Sequence, residues 1–286
     1  MKTLILFAIC LCAFNALPAQ EPVSHDEALK QIYSQYDAEK QTAQWVCTKN
    51  QELGPLHEGW PCDREDETVS VSVELSAEIK EDGTEKVYAV ASAKPVSDPL
   101  GYGCHACAPA IGVGVFGWNG QHWVLESANA AVGFYGGWGS PPWIELVQIG
   151  PEKHGVLLSV DGMGQGYAWS FKRLLTPLGK TVSEVWRIED EQDNFGAIDP
   201  NDKLNRQVPF RSVSAFKFNA GLSYDGGSPD YYDIEVISRG EDRVDFDHPL
   251  KHENWTEIYR FKDGKYRLLS HKDFVEIKRA KKKLPR

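Results

Sequence analysis

Residues 69–79 read Val-Ser-Val-Ser-Val-Glu-Leu-Ser-Ala-Glu-Ile, with an apolar side chain at every second position. Successive side chains of a β-strand point to opposite faces, so this alternation is typical of a strand with one face in a core and the other in solvent. Asp82-Gly83 follows, a dipeptide that closes tight hairpins, and the chain then enters another apolar run at 87–90. The stretch therefore predicts an antiparallel β-hairpin.

The same pattern continues through most of the chain. Asp-Gly or Asn-Gly pairs predict turns at Gly83, Gly120, Gly162, Gly226 and Gly264, and three of the four spacings between them are near 40 residues. Candidate strands precede and follow these turns, at 111–116, 123–125, 144–149, 156–160, 167–175, 181–188, 213–218, 232–237, 257–261 and 266–269. We predict a mainly-β domain over 66–277, built as an antiparallel meander of hairpins. The turn spacing also fits a propeller-like repeat, and a β-barrel or sandwich is the alternative.

The segment before this domain, residues 20–65, begins with a helical pattern. Ser24 and Glu27 have the spacing of a capping box, and apolar residues then recur at helical intervals as far as Tyr36. This pattern predicts a helix from residue 24 to about residue 46.

The first nineteen residues have the features of a secretory signal peptide. Lys2 is followed by an apolar run at 4–14, which is shorter than the ~20 residues that a membrane-spanning helix needs. We expect cleavage after Ala19 and a periplasmic or secreted protein. No later stretch is apolar and long enough to predict a transmembrane segment in the mature chain.

Four cysteines follow the predicted cleavage site: Cys47, Cys62, Cys104 and Cys107. An even number of cysteines in an oxidising compartment predicts disulfide bonds, here two, with three pairings open. Pairing of nearest neighbours is the simplest arrangement. The Cys-His-Ala-Cys motif precedes a strand-like segment rather than a helix, so the sequence favours a structural disulfide over a redox-active thiol.

The charge of the chain is unevenly distributed. Its net charge of −10 includes six basic residues in the tail 278–286, and residues 20–277 carry 24 basic and 41 acidic residues, a net charge of −17. An acidic surface repels nucleic acid and attracts cations. We therefore expect no nucleic-acid partner, and a cationic ligand or basic protein as the natural partner.

Two groups of residues are candidates for binding. The segment from Trp118 to Trp143 is rich in aromatic residues and glycine, and within it Trp138 and Trp143 are the candidates for an exposed binding surface. Asp225, Asp230 and Asp233 precede a predicted strand and are candidate ligands of a calcium ion, the one cofactor that the sequence suggests. Their spacing departs from that of compact calcium loops, so an ordinary hairpin loop is the alternative.

Segments 103–109, 164–167, 231–236 and 261–266 together resemble exported bacterial proteins of uncharacterised function. The resemblance covers about residues 85–270. It implies export and a high β content, and it transfers no catalytic residue.

Together these patterns predict an exported, β-rich binding or interaction protein without an identifiable catalytic site. The alternative is an exported hydrolase that acts on glycan or peptide, with its site beside the aromatic segment.

Overall fold

The structure, a computed structural model, describes residues 21–33, 35–45, 67–96, 103, 107–198, 210–219, 230–242, 251–252 and 254–273. Within these ranges one α-helix precedes fourteen β-strands, and a short 3-10 turn follows β9 at Phe195–Ala197. In chain order the elements are α1 His25–Ile32, β1 Thr42–Trp45, β2 Glu67–Glu81, β3 Thr84–Pro95, β4 Ala110–Trp118, β5 Trp123–Phe134, β6 Trp143–Gly150, β7 Lys153–Gly164, β8 Tyr167–Leu178, β9 Thr181–Asp193, β10 Arg211–Asn219, β11 Asp233–Asp242, β12 Lys251–His252, β13 Trp255–Lys262 and β14 Lys265–Asp273. No helix among the described residues combines the length and the apolar character needed to cross a membrane.

The strands form two antiparallel sheets. Strands β1 to β5 follow one another in the first sheet, and the second sheet has nine strands in the order β14-β13-β11-β10-β9-β8-β7-β6, with β12 paired to β11. Nearly every strand therefore pairs with its neighbour in sequence, which confirms the predicted antiparallel meander with an N-terminal helix. The propeller-like reading is wrong, because the strands form sheets of five and nine rather than separate four-stranded blades.

The N-terminal helix is shorter than predicted. Ser24 caps it by accepting a hydrogen bond from the backbone N–H of Glu27, as the capping box predicts. Tyr33 is already extended, so the helix ends at Ile32, and the later part of the predicted helix contains β1. Strand β1 pairs with β2 in antiparallel register. This pairing offers the backbone at 42–45 an alternative to helical hydrogen bonds, and it joins the described part of segment 20–65 to the β domain.

The hairpin turns are largely those predicted. Asp82 and Gly83 have φ values of 51° and 73°, and Asp263 and Gly264 repeat this left-handed pair with 52° and 75°. Two successive positive φ values define the type I′ turns that match the twist of antiparallel strands. The turn predicted at Gly162 is wrong: Gly162 lies within β7, where a Cβ would collide with the indole of Trp169 across the strand pair. The turn predicted at Gly226 lies outside the described residues.

The first sheet is the middle one of three layers. Helix α1 packs against one face of it, and the helical residues Leu29 and Ile32 share a core cluster with Phe116 of β4. Gly112 and Gly114 make this approach possible, because a Cβ at either position would collide with a side chain at the C-terminal end of the helix, Tyr33 or Ile32.

The other face of the first sheet packs on the second sheet. Fully buried side chains of β3 and β4, such as Val90 and Val113, share a cluster with Val156, Leu158 and Leu175 of β7 and β8. The first sheet and strands β6 to β8 therefore pack face to face, as in the predicted sandwich alternative. Strands β9 to β14 of the second sheet, called the far half from here on, curl around a third cluster that is rich in aromatic side chains.

Candidate functional site

A cleft lies where the first sheet meets the second. It encloses about 560 Å³, which falls within the range of small-molecule binding sites. Both sheets contribute to its lining, which consists of Glu81, Lys86, Val115, Glu126, Ser127, Lys153, Thr176, Pro177, Leu178, Gly179, Lys180 and Tyr231. Most of these residues lie at strand ends or in hairpin turns, so the cleft is formed by the meeting of hairpins that are distant in sequence.

Glu81 is the most deeply buried carboxylate of the cleft, with a side chain only 6% exposed. The hydroxyl of Tyr88 donates a hydrogen bond of 3.0 Å to its Oε2, and Nζ of Lys153 lies 3.9 Å from its Oε1. Nδ1 of His154 is 3.4 Å from Oε2 but without the geometry of a hydrogen bond. Burial, and then the negative charge of Glu81, raise the pKa of Tyr88, so the phenol stays protonated and remains a donor.

Lys153 connects the two sheets at the edge of the cleft. Its ammonium donates a hydrogen bond to Asp82, 71 residues earlier in the chain, in the turn between β2 and β3. Burial alone would lower the pKa of Lys153, but the hydrogen bond to Asp82 and the charge of that carboxylate raise it. The same hydrogen bond lowers the pKa of Asp82. Both groups are therefore charged at neutral pH and hold the turn against β7.

A second ion pair crosses the first sheet. Lys86 on β3 and Glu126 on β5 approach to 2.7 Å, with side chains that are 13% and 40% exposed. Strand β4 lies between them, and there Gly117 leaves the space that the Glu126 carboxylate occupies, since a Cβ at this glycine would collide with it. The lack of a side chain at Gly117 is thus part of how the cleft is built.

The turn between β8 and β9 forms another wall of the cleft and is tied to β5 by hydrogen bonds. The hydroxyl of Ser127 donates to the carbonyl oxygen of Gly179 at 2.6 Å, and the N–H of Ala128 donates to that of Lys180 at 3.1 Å. The side chain of Asn129 adds a hydrogen bond of 3.0 Å to the carbonyl of Val182. These contacts fix the position of Lys180, which is exposed.

The described groups of the cleft are suited to recognition. Its charged side chains can bind a polar group, and Val115, Pro177 and Leu178 offer apolar contact. The serine and threonine hydroxyls in the lining donate to backbone carbonyls, that of Ser127 as described and that of Thr176 to His154 at 3.2 Å. No histidine or cysteine is among the described lining residues.

The two tryptophans singled out from the sequence lie outside this cleft. Trp138 is 65% exposed and has a φ of 54°, a left-handed conformation that bulky residues rarely adopt. It occupies a tight turn closed by hydrogen bonds between Gly137 and Ser140. Trp143 begins β6, is 68% exposed, and donates from its Nε1 to Glu145 at 2.7 Å. A binding role for either residue stays a prediction.

The structure describes two of the three candidate calcium ligands, Asp230 and Asp233. Asp233 is buried, and its two oxygens accept hydrogen bonds from the guanidinium of Arg260, at 3.1 and 2.8 Å. Asp230 lies just before β11 and is exposed, whereas Asp225 lies outside the described residues. Within the part of the chain that the structure describes, no group of three or more His, Cys, Asp or Glu side chains could hold a metal ion. Arg260 is the partner of Asp233 among the described residues, and a calcium site stays a prediction.

The cysteines and both chain ends are largely beyond the described residues. Cys47, Cys62 and Cys104 fall there, as do the predicted signal peptide 1–19 and the basic tail 278–286. Cys107 is described and is not a free thiol. Its backbone carbonyl accepts a hydrogen bond of 2.8 Å from the N–H of Gly139, so Cys107 contacts the turn that contains Trp138.

A second polar cluster lies on the β13–β14 hairpin. The carboxylate of Glu257 accepts a hydrogen bond from Tyr259 and lies 2.8 Å from Nδ1 of His271, which also approaches Asp273 at 3.3 Å. The hydrogen bond to Glu257 is the main reason why the pKa of His271 is raised. His271 and Asp273 are exposed on β14, the edge strand of the second sheet.

Sequence reasoning missed the cleft residues. Lys86, Lys153 and Lys180 each follow or precede a turn, a position where charged side chains are usually solvated, and nothing local distinguishes them. The one available signal was the pairing of small residues with charged ones beside the turns, as at Gly117 and at Gly179. That signal is too common to identify a site.

The fold and the cleft define a mainly-β meander protein with one covering helix and a ligand-sized cleft between two sheets. No protein-family model matches the chain, and comparison with curated proteins and with solved structures finds no similar protein.

Proposed function

We propose that this protein is an exported binding protein that takes a small polar ligand into the cleft between its two sheets. The observation that carries the proposal is the cleft itself, with a volume of about 560 Å³ and charged side chains held in place by ion pairs. Preorganised polar groups beside apolar surface are the usual composition of small-molecule sites. Export, and two disulfides that would include Cys107, belong to the proposal and are supported by the sequence of residues 1–19 and by the even cysteine count.

The cationic ligand or basic protein partner is a separate proposal, and the net charge of −17 over residues 20–277 supports it. That charge is spread over the chain, whereas the cleft is lined by three lysines and two glutamates. A basic partner would therefore bind the outer surface of the protein. The alternative of a glycan or peptide hydrolase stays a prediction.

The proposal is tested with a variant that fills the cleft. Leu178→Trp places an indole against the lining, and Leu269→Trp adds the same group at an exposed position of β14 as the matched control. A mixed library of small polar metabolites is screened by saturation-transfer NMR against the mature chain. We expect ligands of the wild type to lose their signal with Leu178→Trp and to keep it with Leu269→Trp. Absence of any ligand, or equal binding to both variants, would overturn the proposal.

A further inference from the structure

We infer that the cleft binds a small organic anion, with the negative group of the ligand paired to Lys180 and its apolar part against Pro177 and Leu178. This inference rests on the proposed function and adds the chemical class of the ligand. It differs from the expectation drawn from overall charge, which favours a cation.

The balance of charge in the cleft differs from that of the whole chain. The lining includes three lysines and two glutamates, in a chain whose residues 20–277 carry 41 acidic and 24 basic side chains. The lining residues alone carry one excess positive charge, and Asp82, which binds Lys153 from the adjacent turn, brings the cleft to neutrality. The cleft therefore lacks the acidic excess that would repel an anionic ligand from the rest of the chain.

The carboxylates of the cleft already have cationic or hydrogen-bonding partners. Glu126 is paired with Lys86 at 2.7 Å. Glu81 accepts a hydrogen bond from Tyr88, and Lys153 lies within 4 Å of it while also binding Asp82. A cationic ligand would have to compete with these internal cations for each carboxylate, so the glutamates are poorly placed to recognise one.

The ammonium of Lys180 makes no ion pair with any carboxylate among the described residues. The backbone carbonyl of this residue is fixed by Ala128, and the adjacent Gly179 is fixed by Ser127, so the turn presents this lysine from a rigid support. Lys180 therefore supplies the charge that the protein itself leaves uncompensated. An anionic group of a ligand would complete the pairing.

The size and the apolar lining of the cleft favour an organic ligand. A volume of about 560 Å³ is far larger than the roughly 30 Å³ that one water molecule occupies in the liquid, so an inorganic anion alone would leave most of the cleft unfilled. Val115, Pro177 and Leu178 add apolar lining, which favours a ligand with a hydrocarbon or aromatic body. An organic anion meets both requirements.

The test uses three probes that share one apolar body and differ only in charge: indole-3-acetate, indole-3-acetamide and tryptamine. Each is titrated into the ¹⁵N-labelled mature chain, and amide shifts of the cleft residues give its Kd. We expect indole-3-acetate to bind about tenfold more tightly than the amide, because a charge-assisted hydrogen bond replaces a neutral one, and tryptamine to bind most weakly. Added salt should reduce the preference for the acetate.

Variants of Lys180 assign the effect to this residue. Lys180→Gln should abolish the preference for indole-3-acetate, Lys180→Arg should retain it, and Lys30→Gln on α1 is the matched control that should change nothing. Equal binding of acetate and amide to the wild type, tighter binding of tryptamine, or no binding of any probe would overturn the inference. The library screen decides the proposed function independently, since a neutral or cationic ligand found there and lost in Leu178→Trp would leave that function standing.

Discussion

Strand β4 of the first sheet and strand β10 of the second are both nine residues long and pair with antiparallel neighbours on both sides, yet they differ in burial. Eight of the nine residues of β4 are buried, whereas those of β10 alternate between half-buried and exposed along most of the strand. Helix α1 covers one face of β4 and the second sheet covers the other, while β10 contributes to a core on one face alone.

Strand pairing and coverage of the strand faces are therefore separate sources of stability. Backbone hydrogen bonds are formed in both regions, but apolar area is removed from water on two faces in the first sheet and on one in the far half of the second. Side chains and glycines of β4 should therefore tolerate change less well than their counterparts in the far half.

The largest effect is expected from removing one phenylalanine in each region. Phe116→Ala leaves a cavity under the helix, where Phe116 is fully buried, and should lower the free energy of unfolding by about 3–5 kcal/mol. Phe216→Ala, the matched change on half-buried β10, should cost roughly half as much. Urea unfolding of both variants measures the two losses, and equal losses would contradict the comparison.

An ion pair in the far half should have the next largest effect. Arg260→Met leaves the buried Asp233 carboxylate without its partner and should cost about 3 kcal/mol. Lys217→Met removes a mostly exposed lysine from its pair with Glu235 in the same sheet and should cost less than about 1 kcal/mol. If urea unfolding shows the same loss for both variants, burial of Asp233 does not account for the strength of its pair.

Glycine substitutions test whether α1 approaches β4 as closely as described. A Cβ at Gly112 would meet the hydroxyl of Tyr33 and the backbone carbonyl of Ala130, so Gly112→Ala should cost about 1–3 kcal/mol. At Gly164 of β7 the nearest atoms are those of the Trp169 ring at 3.2 Å, and alanine there should change stability by less than about 0.5 kcal/mol. Chemical denaturation compares the two, and a harmless Gly112→Ala would contradict the close contact.

A substitution at Trp138, in the connection between the two sheets, should stabilise the protein. Trp138 has a positive φ that costs an ordinary side chain about 1 kcal/mol, and asparagine tolerates this conformation better. Trp138→Asn should therefore raise the free energy of unfolding by about 0.5–1 kcal/mol, whereas Trp143→Asn in strand β6 should not raise it. A melting temperature that falls with Trp138→Asn would show that the indole has contacts worth more than the strain.

The smallest effect is a pH dependence in the far half. Hydrogen bonds from His271 to Glu257 and Asp273 raise the pKa of this histidine above its usual 6.5. Its contribution to stability is therefore fully present below pH 6.5 and is lost as the pH rises through the folded-state pKa. NMR titration should place that pKa above 6.5 in the wild type and lower in Glu257→Gln. An unchanged pKa in the variant would remove Glu257 as the cause.

Much of the fold was predictable because its causes are local. The alternation at 69–79 lies within β2, the Asp82-Gly83 and Asp263-Gly264 turns have the predicted left-handed φ values, and Ser24 caps α1. Each depends on neighbours within a few residues. The strand at 42–45, inside the predicted helix, was not predictable in the same way, because its hydrogen bonds are formed with β2, more than twenty residues later in the chain.

The candidate site was much less predictable. Trp138 and Trp143 were recognisable as unusual, and both are exposed, but neither lines the cleft. The residues that do line it are ordinary lysines and glutamates beside turns. Their partners are 40 residues away for Lys86 and 71 residues away for Lys153, so no window of sequence contains a complete pair.

The sequence alone predicted most of the strands, the Asp82-Gly83 and Asp263-Gly264 turns and the antiparallel order, because side-chain alternation and left-handed turn residues act over a few residues of chain. Only the tertiary structure decided which strands are covered on both faces and where the cleft forms. These features depend on layers packing together and on charges meeting across hairpins distant in sequence. The acidic net charge is a sum over the whole chain, whereas the charge balance of the cleft exists only after the two sheets have met.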